Sequence, residues 1–136
     1  MNKKVFLDTN IVADVMNGAR AHHKDAMRLL EKLVSDDYVV CISEDMISTL
    51  YYIAKDKTSA LEFFKNVIFI DWDVLIFGKD ILTEGIRMSL DNGVDLEDAL
   101  QCLCAKNNGC NILITNDKKF FDCGIEILTV ERFLAR

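Results

Sequence analysis

Three acidic side chains follow short apolar runs in this chain, and a fourth opens an apolar helical stretch. Asp8 closes Val5-Phe6-Leu7, Glu44 comes after Val39-Val40-Cys41-Ile42, and Asp117 comes after Ile112-Leu113-Ile114-Thr115. Asp98 stands in Asp95-Leu96-Glu97-Asp98-Ala99, at the start of a predicted helix. In an open parallel sheet the carboxyl ends of the strands share one edge, and ligands bind there. Carboxylates gathered on one edge repel each other unless a positive charge neutralises them. A hard divalent cation, Mg²⁺ or Mn²⁺, does so with oxygen ligands. The expected chemistry is metal-assisted, and phosphoester hydrolysis is its commonest use.

Around these acids lie groups able to support them. In Asp8-Thr9-Asn10 the carboxylate leaves a strand end, Thr9 can bond locally, and Asn10 can cap the next helix while facing the same site. Asp95 is placed as an N-cap, with Asp98 at the third helical position in a capping-box-like pairing. The two lie about one turn apart on one face, whereas Glu97 points elsewhere and is expected to be solvated. In Thr115-Asn116-Asp117-Lys118-Lys119-Phe120, Thr115 puts a small hydroxyl into the cleft and Asp117 starts a short helical turn. Lys118 and Lys119 could contact phosphates. Glu44 and Asp45 have a competing role as helix caps, and Asp73 is a natural N-cap before Val74.

The elements that must position these residues alternate. Apolar runs predict strands at Lys4–Leu7, Tyr38–Ile42, Val67–Ile70, Asn111–Thr115 and Gly124–Leu128. Lacking strict alternation, they suit strands buried on both faces. Helical spacing follows in Ile11–Met16, Ala26–Val34, Met46–Ala54, Leu61–Phe64, Val74–Leu90, Leu96–Ala105 and Val130–Leu134. The pattern predicts an α/β three-layer sandwich with a mainly parallel five-stranded sheet. Breaks fall at Ser35-Asp36-Asp37, Asp91-Asn92-Gly93 and Asn107-Asn108-Gly109. None is long enough to be a linker, so residues 1–136 read as one domain.

Composition narrows the function. The 136 residues are 51% hydrophobic, with no proline and six glycines; this predicts a packed globule, not a disordered chain. A net charge of -6 argues against a broad basic nucleic-acid surface. It leaves a nucleic-acid substrate open, because catalytic carboxylates lower the net charge and bound metal offsets them. No apolar run approaches the roughly 18 residues of a membrane span. The run that Asp8 ends is shorter than the about 7–15 residues of a signal-peptide core, so a cytosolic protein without membrane association is expected. The five cysteines, Cys41, Cys102, Cys104, Cys110 and Cys123, include no Cys-x-x-Cys pair. They read as small buried residues of a reducing compartment, and His22 and His23 as a solvated helix start.

Taken together, Phe6-Leu7-Asp8-Thr9-Asn10, Asp98-Ala99-Leu100 and Ile114-Thr115-Asn116-Asp117-x-x-Phe120 resemble the PIN domain family in order and spacing over nearly the whole chain. Asp14 and Arg20 resemble the pattern after its first motif. The resemblance implies a metal-dependent ribonuclease that cleaves RNA to leave a 5′-phosphate, with Asp8, Asp98 and Asp117 binding Mg²⁺ or Mn²⁺. Asn10, Glu44, Asp95, Thr115 and Asn116 would support them, and Arg20, Lys118 and Lys119 would contact RNA. Among small members it suggests a VapC-type toxin, with an antitoxin partner and a homodimer. Apolar residues near Tyr51, Tyr52, Phe63 and Phe64 are candidates for a partner groove, or else for core.

One position departs from the family pattern. The glutamate carried by the helix after the second strand is replaced by Thr49, with Glu44 and Asp45 as candidate substitutes. A catalytically degenerate PIN fold used only for binding is therefore an alternative. A phosphorelay receiver domain is another, but it needs paired acids after the first strand and a lysine after the last. A haloacid-dehalogenase-type phosphatase would need Asp-x-Asp where this chain has Asp8-Thr9-Asn10.

Overall fold

A computed structural model describes residues 3–136; Met1 and Asn2, the start of the segment weighed above as a leader, lie outside the described residues. The chain runs β1 (Lys4–Leu7), α1 (Thr9–Met16), α2 (His23–Ser35), β2 (Val39–Ser43), α3 (Asp45–Ile53) and α4 (Lys57–Phe63). A π-helical turn over Phe64–Ile68 leads into a one-turn α5 (Phe69–Asp71). Then come β3 (Asp73–Leu75), α6 (Lys79–Asn92), α7 (Leu96–Asn107), β4 (Ile112–Ile114), β5 (Glu126–Leu128) and α8 (Val130–Leu134). The five strands form one sheet in the order β3-β2-β1-β4-β5, and every neighbouring pair is parallel.

Val5, Phe6 and Leu7 of β1 and Leu113 and Ile114 of β4 have no exposed surface. Strands buried on both faces need no alternation of polar and apolar residues, and their unbroken apolar runs follow from this. Helices cover the sheet. Leu29 and Leu33 of α2, one turn apart, reach the core on one side, together with Phe133 of α8. Cys104 and Ala105 of α7 reach it as well. Helices α6 and α7 lie close: a Cβ on Gly85 would fall 2.7 Å from Leu100 Cδ2, a distance that only the missing side chain permits.

Three expectations are corrected, and one that was left open is resolved. The third strand is Asp73–Leu75, and Val67–Ile70 is helical. Val67, Ile68 and Ile70 favour a strand locally, but Phe64 and Ile68 are buried while Phe69 and Ile70 are largely exposed. That is a helical pattern of burial, and tertiary packing overrides propensity. Asp73 is accordingly a β3 residue paired with Cys41, not the N-cap of a helix, and α6 starts later, at Lys79. The cysteines do not all remain separate thiols. Cys102 of α7 and Cys123, before β5, form a disulfide with Cα atoms 6.2 Å apart, whereas Cys41, Cys104 and Cys110 are free and buried. Finally, the apolar quartet divides: Tyr51 and Tyr52 are exposed, Phe64 is core, and Phe63 packs edge-on against Trp72. No helix among the described residues is long and apolar enough to cross a membrane.

Candidate active site

The direction of strand order reverses between β1 and β4. The first crossovers lead to β2 and β3 on one side of β1, and the last lead to β4 and β5 on the other. A crevice opens at such a reversal, beyond the carboxyl ends of the two strands. Asp8 directly follows β1 and Thr115 directly follows β4, so both border it. They are joined directly: Thr115 Oγ1 donates to Asp8 Oδ2 at 2.7 Å, and the same hydroxyl accepts from the Asp117 backbone N–H at 3.1 Å. Thr115 is 1% exposed and Asp8 7%. The Asp8 carboxylate makes no side-chain cap on α1. A buried carboxylate held through one oxygen by a buried hydroxyl leaves its second oxygen available to a cation.

Asp98 reaches the crevice from the first turn of α7. Its carboxyl is pushed up to about 6, first by burial and then by the negative charges of Asp95, Asp8, Asp117 and Glu97. The fields of the predicted acids thus converge on one group, and a cation placed among them would relieve that repulsion. A cleft of about 500 Å³ is lined by Asp95, Asp98, Asp117 and Lys119, with Asn92, Gly93, Val94 and Phe121. Asp95 caps α7, its Oδ1 accepting from the Asp98 N–H at 3.1 Å, as the capping-box pattern predicts. Asp117 heads a single turn rather than a helix: its Oδ1 accepts from the Lys119 N–H at 2.9 Å and its carbonyl from Phe120 N–H at 3.1 Å.

The donor set is carboxylate oxygen with hydroxyl support, which suits a hard divalent ion. Among the described residues no three acid, imidazole or thiol groups already converge tightly enough to enclose an ion. Mg²⁺ does not require this, since it keeps several waters and takes one or two carboxylates directly. The residues present therefore fit such a metal.

Other candidates are placed elsewhere. Asn10 is exposed on α1. Asn116 Oδ1 accepts from the Val130 N–H at 3.1 Å, so it fastens α8 to the end of β4. Glu44 is exposed at the start of α3 without a side-chain cap; its neighbour Asp45 takes the hydrogen bond from Ser43 Oγ at 2.6 Å. Arg20 is engaged by buried Asp14, Nε to Oδ1 at 2.7 Å, beside a pocket formed with Met16, Leu50 and Phe63 and apart from the acids. His23 holds the Asp14 carbonyl through Nδ1 at 2.8 Å. Lys119 lines the acidic cleft, and Lys118 lines an adjoining depression that shares Asp117 with it and also includes Thr115, His22, Asp25 and Arg132.

Sequence reasoning missed the hydrogen bonds of Glu97. The residue is exposed, as expected, but its Oε1 accepts from Thr9 Oγ1 at 3.1 Å and from Gln101 Nε2 at 3.3 Å, which ties one carboxylate oxygen to the start of α1. The i,i+4 spacing of Glu97 and Gln101 was the available signal.

Comparison with known proteins agrees with this geometry. The PIN domain family model matches residues 5–125. The chain is 35% identical to Ribonuclease VapC1 of Aquifex aeolicus (strain VF5) over 139 residues, covering 99% of this chain and 96% of that one. Among solved structures, Mycobacterium tuberculosis VapC20, described as a sarcin-ricin loop cleaving toxin, superposes with a TM-score of 0.73 at 19% identity, over 89% of this chain and 95% of that one. VapBC2 from Rickettsia felis, bound to a DNA fragment from its promoter, gives 0.70 at 18% identity, over 93% of this chain and 98% of that one. With all three motifs at the carboxyl edge of a 3-2-1-4-5 parallel sheet, the chain belongs to the PIN domain family.

Proposed function

We propose that this protein is a metal-dependent endoribonuclease and the toxin of a toxin–antitoxin pair. The observation that carries the reading is the Asp8–Thr115–Asp117 linkage at the β1/β4 crevice, with an Asp98 nearby that burial first, and then the other acids, make harder to ionise. Asp8, Asp98 and Asp117 hold Mg²⁺ or Mn²⁺, directly or through waters. When bound, the ion activates water and polarises the scissile phosphate. Thr115 fixes the Asp8 carboxylate, so the site is oriented before substrate arrives. Asp95 holds the first turn of α7 and with it Asp98. Lys119, in the same cleft, is placed to contact a phosphate. Arg20 is less suited, since it is paired with Asp14, whereas Lys118 lines a depression together with Thr115 and Asp117 and is a second candidate for a phosphate contact.

The 35% identity to a ribonuclease over nearly the whole chain supports the activity. The toxin–antitoxin assemblies among the structural neighbours, one from Klebsiella pneumoniae included, support an antitoxin partner. Surface for an antitoxin and for a homodimer is available in Tyr51, Tyr52 and Ile53 at the end of α3 and in Leu82, Ile86 and Leu90 along α6, all exposed. A receiver domain is disfavoured by strand order, since that fold runs 2-1-3-4-5. A binding-only role is the second reading, favoured by the missing acid at Thr49.

The test is cleavage of a structured RNA with Mn²⁺, Mg²⁺ or EDTA. Wild type is expected to cut only with metal, and Asp8→Asn to lose about 100-fold or more in rate, the scale of removing a group that stabilises developing charge. Failure to cut under every metal, with no Mn²⁺ uptake by calorimetry, selects the binding-only role.

A further inference from the structure

A second polar recess lies beside Thr9, the residue that follows Asp8. It has a volume of about 240 Å³ and is lined by Thr9, Ser43, Asp45, Thr49, Glu97 and Gln101, with Met46, Leu96 and Leu100 as apolar wall. Four elements meet there: the start of α1, the end of β2, the first turns of α3 and the first turns of α7. Thr49, where the family pattern would place a carboxylate, contributes only a hydroxyl.

Glu97 and Gln101 occupy one face of α7, four residues apart. Gln101 Nε2 donates to Thr9 Oγ1 at 3.2 Å as well as to Glu97 Oε1, so Thr9, Glu97 and Gln101 form a closed triangle next to Asp8. Two acceptors of that triangle remain unused. Glu97 Oε2 has no hydrogen-bond partner among the described residues. Gln101 Oε1 is buried without a partner, on a side chain only 4% exposed. An orphaned buried carbonyl costs about 1–3 kcal/mol, and it persists where a ligand or water supplies the missing donor. An exposed glutamate serving only as a surface clasp would not require an amide buried beneath it with one end empty. The unsatisfied Gln101 Oε1 and the unbonded Glu97 Oε2, on two residues that line one recess, instead point to a hydrated positive centre beside it.

We infer that Glu97, positioned by Thr9 and Gln101, supplies to the metal site the negative charge that Thr49 lacks, reaching it from α7 instead of α3. This rests on the metal-dependent reading above. The geometry makes the substitution reasonable in charge and in place: Glu97 and Thr49 line one recess, so a carboxylate can be lost from one wall and provided by the other. Asp45 lines the same recess but is held by Ser43, which commits one of its oxygens to the strand end. Gln101 is a positioning residue, acting through Glu97.

The experiment measures Mn²⁺ affinity by isothermal titration calorimetry on the full chain, with circular dichroism to verify folding. Glu97→Gln preserves an acceptor for Thr9 and removes the charge; it is expected to weaken Mn²⁺ binding by about tenfold or more, as loss of a supporting group at a metal site does. Adding Thr49→Glu to Glu97→Gln is expected to restore most of that affinity, an outcome that a purely structural hydrogen bond does not produce. Thr49→Glu alone serves as the folding control for the double variant. Equal Mn²⁺ affinity in wild type and Glu97→Gln overturns the inference while leaving the metal-dependent reading intact. Absence of Mn²⁺ binding by wild type overturns both, and a double variant that folds and stays weak overturns the exchange between α3 and α7.

Discussion

At the scale of single residues, Asp98 trades stability for charge. Its folded pKa of about 6 exceeds the ordinary 3.8, so the folded state binds this proton more tightly than the unfolded chain does. The corresponding stability is complete below about pH 3.8 and is lost as pH rises to about 6. At pH 7 the ionised Asp98 is a net cost in the metal-free protein, despite the favourable helix dipole at α7. Asp98→Asn is therefore expected to raise the metal-free Tm at pH 7, by on the order of 2 °C after discounting for solvent screening, while removing cleavage. The advantage should vanish near pH 4. A metal-free Tm at pH 7 that falls in the variant contradicts this account. Thr115 shows the opposite behaviour: one buried hydroxyl donates to the Asp8 carboxylate and accepts from the Asp117 backbone N–H, a role valine could fill in shape but not in bonding.

At the scale of elements, the site depends on how α7 and the β4–β5 connection are held together. Asp98 rides on α7, and Asp117 on the connection. The disulfide between Cys102 and Cys123 ties the two, closing a loop of sequence separation 21 that contains Asp117. On the far side Gly85 lets α6 pack against α7 at Leu100. A crosslink of that span stabilises by about 3 kcal/mol, mainly by restricting the unfolded chain. Cys123→Ser is expected to lower the denaturation free energy of the oxidised protein by about that amount. Reductant should do the same to wild type and nothing to the variant. Equal stability of wild type with and without reductant removes the crosslink from the account.

At the scale of the whole molecule, a chain of net charge -6 must handle a polyanion. Its acids gather at the crevice where the phosphate would sit, so long-range attraction is not the means of binding. A divalent ion converts that repulsive spot into an attractive one, and it also stabilises the fold by mass action. At a concentration 100 times its Kd, an ion that binds only the folded state adds about 2.7 kcal/mol, or on the order of 8 °C in Tm for a domain of this size. Mn²⁺ is expected to raise the Tm of wild type by this order, and that of Asp8→Asn or Asp117→Asn far less. Equal shifts in wild type and both variants would place the ion elsewhere.

The residues themselves determined most of the architecture. Runs such as Val5-Phe6-Leu7 and Ile112-Leu113-Ile114 are apolar without alternation because both faces of a parallel strand are covered, so their state and their direction could be read locally. The acids that end them were legible for the same reason: a charge directly after a buried strand has only the carboxyl edge to occupy. Val67–Ile70 was misread because a β-branched run has the same local preference in either state, and only the burial of Phe64 and Ile68 against the sheet selects a helix. The Cys102–Cys123 pair and the bond between Glu97 and Thr9 were likewise beyond the sequence. Both join residues whose proximity depends on where α7 lies across the sheet, and a helix position with two polar neighbours does not announce which one its side chain will meet. Tertiary structure decided those contacts, because distances across a fold are set by packing and not by spacing along the chain.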